Sequence, residues 1–417
     1  MRPRVSRLVP RLLRERPDFA RLFGGQTVSL FGDQVSLLAV PLVAVLALHV
    51  GPAGMGYLSA AMLAPNLLFS LHLGAVIDRR GHRRRAMIAA DIGRAALLAT
   101  IPAAWLLGVL GFAQLLAVGF AVGTLDVLFH VSYATLFTAI VPRERYVEAN
   151  QLLHGSRAFS FITGPSIGGA LVQLLSAPLA VAADAVSFLG SAVFLGRIRT
   201  PEPPPDPPSK GELVAGMRFI RRTPLLFASL AAAATINLFN FAFWALYVLF
   251  ATETLHVTPA TLGLVLGAAA VGGVLGAVTT GRLSKRIGIG PVLVLGSFLF
   301  PAPLVLVPLA GGPMPVVLGM LFVAELVSGF GVMMLDIAAG SIQQALVPDR
   351  LRARVSGAFM VVNYGVRPIG SLLGGALGAA LGLRPTLWIA TIGAVLGVLL
   401  LLPSPAMRLR TLPQAAE

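Results

Sequence analysis

The sequence reads as an all-α, polytopic membrane protein: twelve transmembrane helices arranged as two pseudo-symmetric six-helix bundles. Three observations carry this reading. Across 417 residues the chain is 56% hydrophobic and 12% charged, with mean hydropathy +0.85, whereas a soluble domain is nearer about 25% charged. Twelve apolar runs reach the roughly 20 residues that a helix needs to cross the hydrocarbon core. Finally, features recur 206 residues apart: Val141-Pro142 with Val347-Pro348, Gly164 with Gly370, and Gly168-Gly169 with Gly374-Gly375.

The runs fall near 21–48, 54–77, 86–109, 113–140, 149–174 and 178–197, then 224–252, 259–281, 290–310, 314–346, 351–381 and 384–403. This divides the chain into a first bundle (1–199), a connecting segment (200–223) and a second bundle (224–417). The net charge of +15 follows this topology. Lys and Arg accumulate in loops held on the cytoplasmic side, and 28 of the 32 basic residues lie in the termini or in loops of one parity. The other four are Arg94, Arg157, Arg367 and Arg384. With an even number of spans, both termini are expected in the cytoplasm. Charge distributed in this way is a membrane-topology signal and argues against nucleic-acid binding. The absence of cysteine excludes disulfides and thiol chemistry. No phosphate-cradling Gly-x4-Gly-Lys loop, His-Glu-x-x-His or Cys-x-x-Cys occurs, so no enzyme activity or cofactor is expected.

The basic start, Met1 to Arg21, precedes an apolar run too long for a signal peptide, so the first span is expected to be retained. Within this start, Leu8, Val9, Leu12 and Leu13 alternate with Arg7, Arg11, Arg14 and Arg16, the pattern of a short helix on the inner leaflet. The first span carries Gln26, Ser29 and Asp33. A carboxylate at membrane depth is costly unless it faces a cavity or a partner, which makes Asp33 a functional candidate. Between the second and third spans runs Gly74-Ala75-Val76-Ile77-Asp78-Arg79-Arg80-Gly81-His82-Arg83-Arg84-Arg85, a tight, strongly basic turn. A degenerate copy, Gly281-Arg282-Leu283-Ser284-Lys285-Arg286-Ile287-Gly288, recurs in the second half.

Asp91 and Arg94 are three residues apart on one helical face and read as a local pair bracing that loop. In the fourth span Asp126, His130 and Tyr133 line one face. His130 is either a packed, satisfied residue or, one turn from an acid, a proton-accepting one. The fifth span contains Gly155, Gly164, Pro165, Gly168 and Gly169, small residues that allow close helix approach around a proline bend. It also carries Arg157, and the sixth span carries Asp184; these two either pair or meet an anionic substrate.

The connecting segment opens with Pro201-Glu202-Pro203-Pro204-Pro205-Asp206-Pro207-Pro208, an extended spacer. A capping box at Ser209 and Glu212 follows, then an amphipathic helix expected to tie the bundles loosely. In the seventh span Asn237, Asn240, Trp244 and Tyr247 mix polar and aromatic groups, which suits a binding cavity or a helix seam. Glu325 and Asp336 in the tenth span fall nearly in line, which favours a cavity or gate over packing. The eleventh span carries Asn363, Tyr364 and Arg367 ahead of its Gly-rich end.

The 2–3 loop resembles the signature of major facilitator superfamily transporters, Gly-x-x-x-Asp-Arg-x-Gly-Arg-Arg, with only His82 departing. Gly74, Asp78, Arg79, Gly81, Arg83 and Arg84 are thereby expected to form the gating loop, with Asp78 meeting the start of the eleventh helix. The fifth span is similar at every fixed position to the antiporter signature Gly-x8-Gly-Pro-x-x-Gly-Gly, and so favours export. Gly24-Gly25-Gln26, Gly32-Asp33 and Asp184-Ala185-Val186-Ser187-Phe188-Leu189 resemble the bacterial group that includes macrolide-efflux pumps and the enterobactin exporter. The resemblance implies a monomeric exporter of a lipophilic or amphipathic small molecule in a bacterial inner membrane, driven by proton antiport. Uptake by symport or facilitation on the same fold is the alternative. The expected proton carriers are Asp33 first, then Asp126, with His130 and Asp336. Arg157, Asn237, Asn240, Glu325, Asn363 and Arg367 are expected around the substrate.

Overall fold

The computed structural model describes residues 10–202 and 213–412, apart from the side chains of 71, 75, 78–80 and 213. Its described residues are helical or form short connections, with no strand among them. A short helix α1 (Arg11–Glu15) precedes six long ones: α2 (Pro17–Leu42), α3 (Pro52–Arg80), α4 (Arg83–Leu106), α5 (Phe112–Ile140), α6 (Tyr146–Leu175) and α7 (Ala177–Gly196). The amphipathic α8 (Leu213–Arg222) leads into α9 (Pro224–Leu249), α10 (Pro259–Ile287), α11 (Ile289–Leu299), α12 (Leu306–Leu309), α13 (Met314–Leu346), α14 (Asp349–Leu381) and α15 (Leu383–Val398). Among the described residues, ten helical stretches are long and apolar enough to cross a membrane. The two other long helices, α3 and α14, have 29 and 33 residues. Charge distinguishes α14, whose first turns carry Asp349, Arg350, Arg352 and Arg354.

The ninth span departs from expectation. Residues 290–310 read as one continuous run, but α11 stops at Leu299 and resumes only as the short α12 after a 3-10 turn at Ala302–Val305. Pro301 and Pro303 lack the N–H groups that would carry the helix through.

The bundles repeat each other pair by pair. In the first, α2 packs on α6 and α7, α3 on α5, and α4 on α5 and α7; in the second, α9 packs on α14 and α15, α10 on α13, and α11 on α13. The repeat reaches further than the 206-residue offset. Leu48-His49-Val50-Gly51-Pro52-Ala53 and Leu255-His256-Val257-Thr258-Pro259-Ala260 lie 207 apart. Each follows a π-helical turn, Val43–Ala47 or Phe250–Thr254. Each places its histidine at positive φ, 50° and 55°, where the chain reverses into a helix with proline in its first turn.

The lead-in helices share this symmetry. Leu12 of α1 packs with Val141 and Ala149; Ile220 of α8 packs with Val347 and Val355, the same two positions 206 residues on. Gly216 seats α8 directly on the α14 backbone at Arg354 and Val355. The helix expected to tie the bundles loosely is therefore docked within the second. The capping box at Ser209 and Glu212 lies outside the described residues, as do residues 1–9 of the amphipathic start.

The bundles meet chiefly along two pairs, α6 with α10 and α3 with α14. Both contacts tighten on the face away from the termini. There a methyl on Gly56 would lie 2.7 Å from Gly375 Cα, and one on Gly169 would lie 3.1 Å from Ala260 Cα. Toward the termini, Gly155 and Gly281 lie on the same stripes of α6 and α10, yet nothing stands within 4 Å of where a side chain would begin. The crevice between bundles is thus sealed on one face and open on the face that carries the termini.

Candidate functional site

A cavity of about 480 Å³ lies inside the first bundle at mid-helix depth. Its apolar wall includes Leu30, Met62, Leu98, Leu115 and Val122; its polar groups include Gln26, Asp33, Arg94, Asp126, His130, His154, Arg157 and Asp184. Such a lining, mostly apolar with a few convergent polar groups, is the usual form of a small-molecule site.

Arg94 organises the charges. It is 1% exposed and stands midway along α4. Nη2 donates to Asp91 Oδ1, one turn earlier on the same helix, and Nη1 donates to Asp126 Oδ1 on α5 at 3.1 Å. The guanidinium also lies 4.6 Å from the Phe129 ring centroid and 4.0 Å from that of Phe188. Two carboxylates and two aromatic faces replace its hydration, the condition under which a buried guanidinium is tolerated. The sequence favoured a loop brace for Asp91 and Arg94. The longer helix, beginning at Arg83, carries them inward, and Arg94 reaches across to a second helix.

His130 Nδ1 donates to the Asp126 backbone carbonyl at 3.0 Å and stands 3.3 Å from Asp126 Oδ1. Asp184 is 1% exposed and accepts from Ser187 Oγ at 3.0 Å. Gly32 brings Asp33 beside it, because α2 and α7 touch at this level: a methyl on Gly32 would lie 2.7 Å from Ser187 Cβ. The Asp33 carboxylate lines the cavity within electrostatic reach of Asp184, Arg94, Asp126 and His130. No described residue donates a hydrogen bond to it. Four aspartates therefore surround one buried arginine and one histidine. Arg157 faces the same cavity, 5.5 Å from the Phe161 ring, and no bond joins it to Asp184.

The candidates in the second bundle lie elsewhere. Asn237 Nδ2 donates to Asn363 Oδ1 at 3.1 Å across the α9–α14 seam. Asn240 is 6% exposed, and Glu325 is buried against Tyr247 in the core. Arg367 lies over Tyr364 at 4.3 Å and Phe241 at 5.0 Å, within electrostatic reach of Asp336. None of the six candidates, Asn237, Asn240, Glu325, Asp336, Asn363 and Arg367, lines the first-bundle cavity.

At the 2–3 loop, Gly81 (φ 63°) and His82 (φ 57°) make the reversal. The Glu202 carboxylate accepts from the backbone N–H groups of Arg83 and Arg84, the latter at 3.1 Å, and so caps the positive end of α4. Arg84 Nη1 donates to the Ile198 carbonyl. In the sequence Glu202 reads only as part of the proline-rich spacer. Gly74 sits near Val131 of α5, while the side chains of Asp78 and Arg79 lie outside the described residues. Within the Gly-rich element of α6, Gly164 and Gly168 face Gln34 and Val35 of α2, whereas Pro165 and Gly169 face α10.

Known proteins share this architecture. The chain superposes on a bacterial homologue of the iron transporter ferroportin in an inward-facing state with TM-score 0.75 and 17% identity, covering 94% of this chain and 99% of that one. For the nucleoside transporter NupG the values are 0.71, 16%, 94% and 99%. For an occupied, inward-facing bacterial homologue of the lysosomal transporter Spinster they are 0.72, 15%, 96% and 98%. At such identities the likeness is one of fold. In sequence, the chain is 26% identical over 240 residues to the uncharacterized MFS-type transporter YfiS of Bacillus subtilis (strain 168), a match spanning 54% of each protein. Residues 15–415 match the family of transmembrane secretion effectors, MFS_3. The chain belongs to that family and is a membrane transporter of the major facilitator type.

Proposed function

We propose that the protein is a proton-coupled exporter of a lipophilic or amphipathic small molecule that works by alternating access. The observation that carries this reading is the first-bundle cavity, where Asp33, Asp126, Asp184 and His130 converge on one arginine already held by Asp91 and Asp126. Four carboxylates, Asp33, Asp91, Asp126 and Asp184, stand there against two arginines, Arg94 and Arg157, and a proton arriving from one side offsets part of the negative excess. Asp33 is the primary carrier in this reading, because no hydrogen bond from a described residue occupies it, and Asp126 with His130 forms the second site. The apolar remainder of the wall suits a lipophilic cargo. The proton and the cargo must favour different states of the crevice, since coupling requires a difference in affinity between states. Asp336, Arg157, Arg367 and the polar groups of α9 and α14 would meet the cargo on its way through the crevice. The open face is the cytoplasmic one in this reading, as the basic loops suggest, and the membrane is the bacterial inner membrane. The test is a growth-inhibition panel in a pump-deficient host expressing the chain, with and without an uncoupler. Protection against lipophilic compounds that disappears with the uncoupler supports the proposal; cellular accumulation of the same compounds would indicate uptake.

A further inference from the structure

A second feature lies in the second bundle, between α8 and α14. Val214 and Met217 of α8 and Ala358 and Val361 of α14 line an apolar groove of about 190 Å³. Spacings of three, four and seven put Val214, Met217, Arg218 and Arg221 on one side of α8, so two basic residues share the face of α8 that lines the groove. Arg218, Arg221 and Arg222 are exposed and form no ion pair with a described residue. Arg350, two turns before Ala358 on α14, is exposed as well. The acid near it, Asp349, is paired with Arg352 at 2.6 Å. Val214 is 72% exposed, although the helix carrying it runs into the membrane span α9 after the single residue Thr223. Gly216 fixes α8 on α14, so the groove is a feature of the folded bundle.

We propose that this groove binds one anionic phospholipid, with an acyl chain against Val214, Met217, Ala358 and Val361 and the phosphate head between Arg218 and Arg221. An apolar slot beside arginines that no described residue pairs, at the bilayer boundary, matches both ends of such a molecule, and each surface arginine adds attraction for an anionic head. Bound there, the lipid staples α8 to α14, one of the four helices that close the crevice.

The experiment titrates the purified full-length protein with phosphatidylglycerol, or with phosphatidylcholine of the same chains, and reads bound lipid by native mass spectrometry. One tightly held phosphatidylglycerol is expected, and phosphatidylcholine should bind far more weakly. Arg218→Gln with Arg221→Gln is expected to weaken phosphatidylglycerol by roughly thirtyfold, the loss of two surface arginines. Val361→Phe, which fills the slot and keeps every charge, is also expected to weaken it. Lys285→Gln with Arg286→Gln removes equal charge elsewhere and should leave binding intact. Equal binding of the two lipids, unchanged binding in either groove variant, or displacement by inorganic phosphate alone would each overturn the assignment.

Discussion

Gly56 of α3 and Gly375 of α14 meet backbone to backbone on the sealed face of the crevice, so close that a methyl on Gly56 would lie 2.7 Å from both Gly375 Cα and the Ser371 carbonyl. Their repeat partners, Gly263 of α10 and Gly169 of α6, close the other seam in the same way. The lateral approach of the bundles is set by glycine at both places.

Gly56→Val therefore has no room in this state. Overpacking of about 1–3 kcal/mol shifts the balance between closed and open by roughly 5- to 150-fold. The native chain has no cysteine, so a single engineered cysteine at Gln26, inside the cavity, reports access cleanly. Labelling of that cysteine from the far face should rise in the Gly56→Val background and transport should fall. Unchanged labelling would mean that the seam is looser than its geometry indicates.

Arg94→Ala leaves Asp91 and Asp126 facing each other without their shared cation. Breaking a buried pair of this kind costs about 3–5 kcal/mol, visible as a fall in melting temperature in detergent. Arg94→Lys should rescue little, because a point charge on a flexible stem does not serve two carboxylates and two rings at once.

Asp18, in the first turn of α2, ties that helix to the segment after α7. Its Oδ2 accepts from the Thr200 hydroxyl at 2.6 Å and from the backbone N–H groups of Thr200 and Arg199 at 2.8 and 3.1 Å. Asp18→Ala leaves those donors without their acceptor, a loss of about 1–3 kcal/mol. Proteolysis at residues 198–202 should then accelerate while the cavity keeps its chemistry.

Glu15 of α1 gives a pH effect of known sign. Arg11, and then Arg145, hold its carboxyl below the ordinary carboxylate value. A depressed value contributes stability that is present above the unfolded pKa and is lost as pH falls through the folded one. The pairs are solvent-exposed, 75%/41% for Arg11–Glu15, so the contribution is small. Melting curves of Glu15→Gln and wild type should nearly coincide at the acid end and separate slightly at neutral pH.

Much of this was legible in the sequence because membrane helices announce themselves by length, charge and repetition. The spans near 113–140 and 178–197 match helices 112–140 and 177–196 within a residue. The 206-residue offset likewise marks helices that pack equivalently. The matching turns at His49 and His256 do not fall on that offset because they lie one residue out of register, at 207. Contacts between helices were harder to read. Arg94 looked like a partner for Asp91 alone, since helical spacing reveals neighbours on one helix and says nothing of Asp126 on the next. Glu202 looked like spacer because its role is played at the end of α4, more than a hundred residues away. The break at Pro301 was hidden because hydropathy cannot distinguish a continuous helix from an apolar chain interrupted by proline.

The most direct measurement of proton coupling uses everted membrane vesicles energised to an acidic interior and reported by a pH-sensitive dye. Adding a compound identified by the growth panel should release protons from vesicles carrying the wild-type chain. Asp33→Asn should abolish that release while the protein remains folded and present in equal amount. Full proton release by Asp33→Asn would contradict the account.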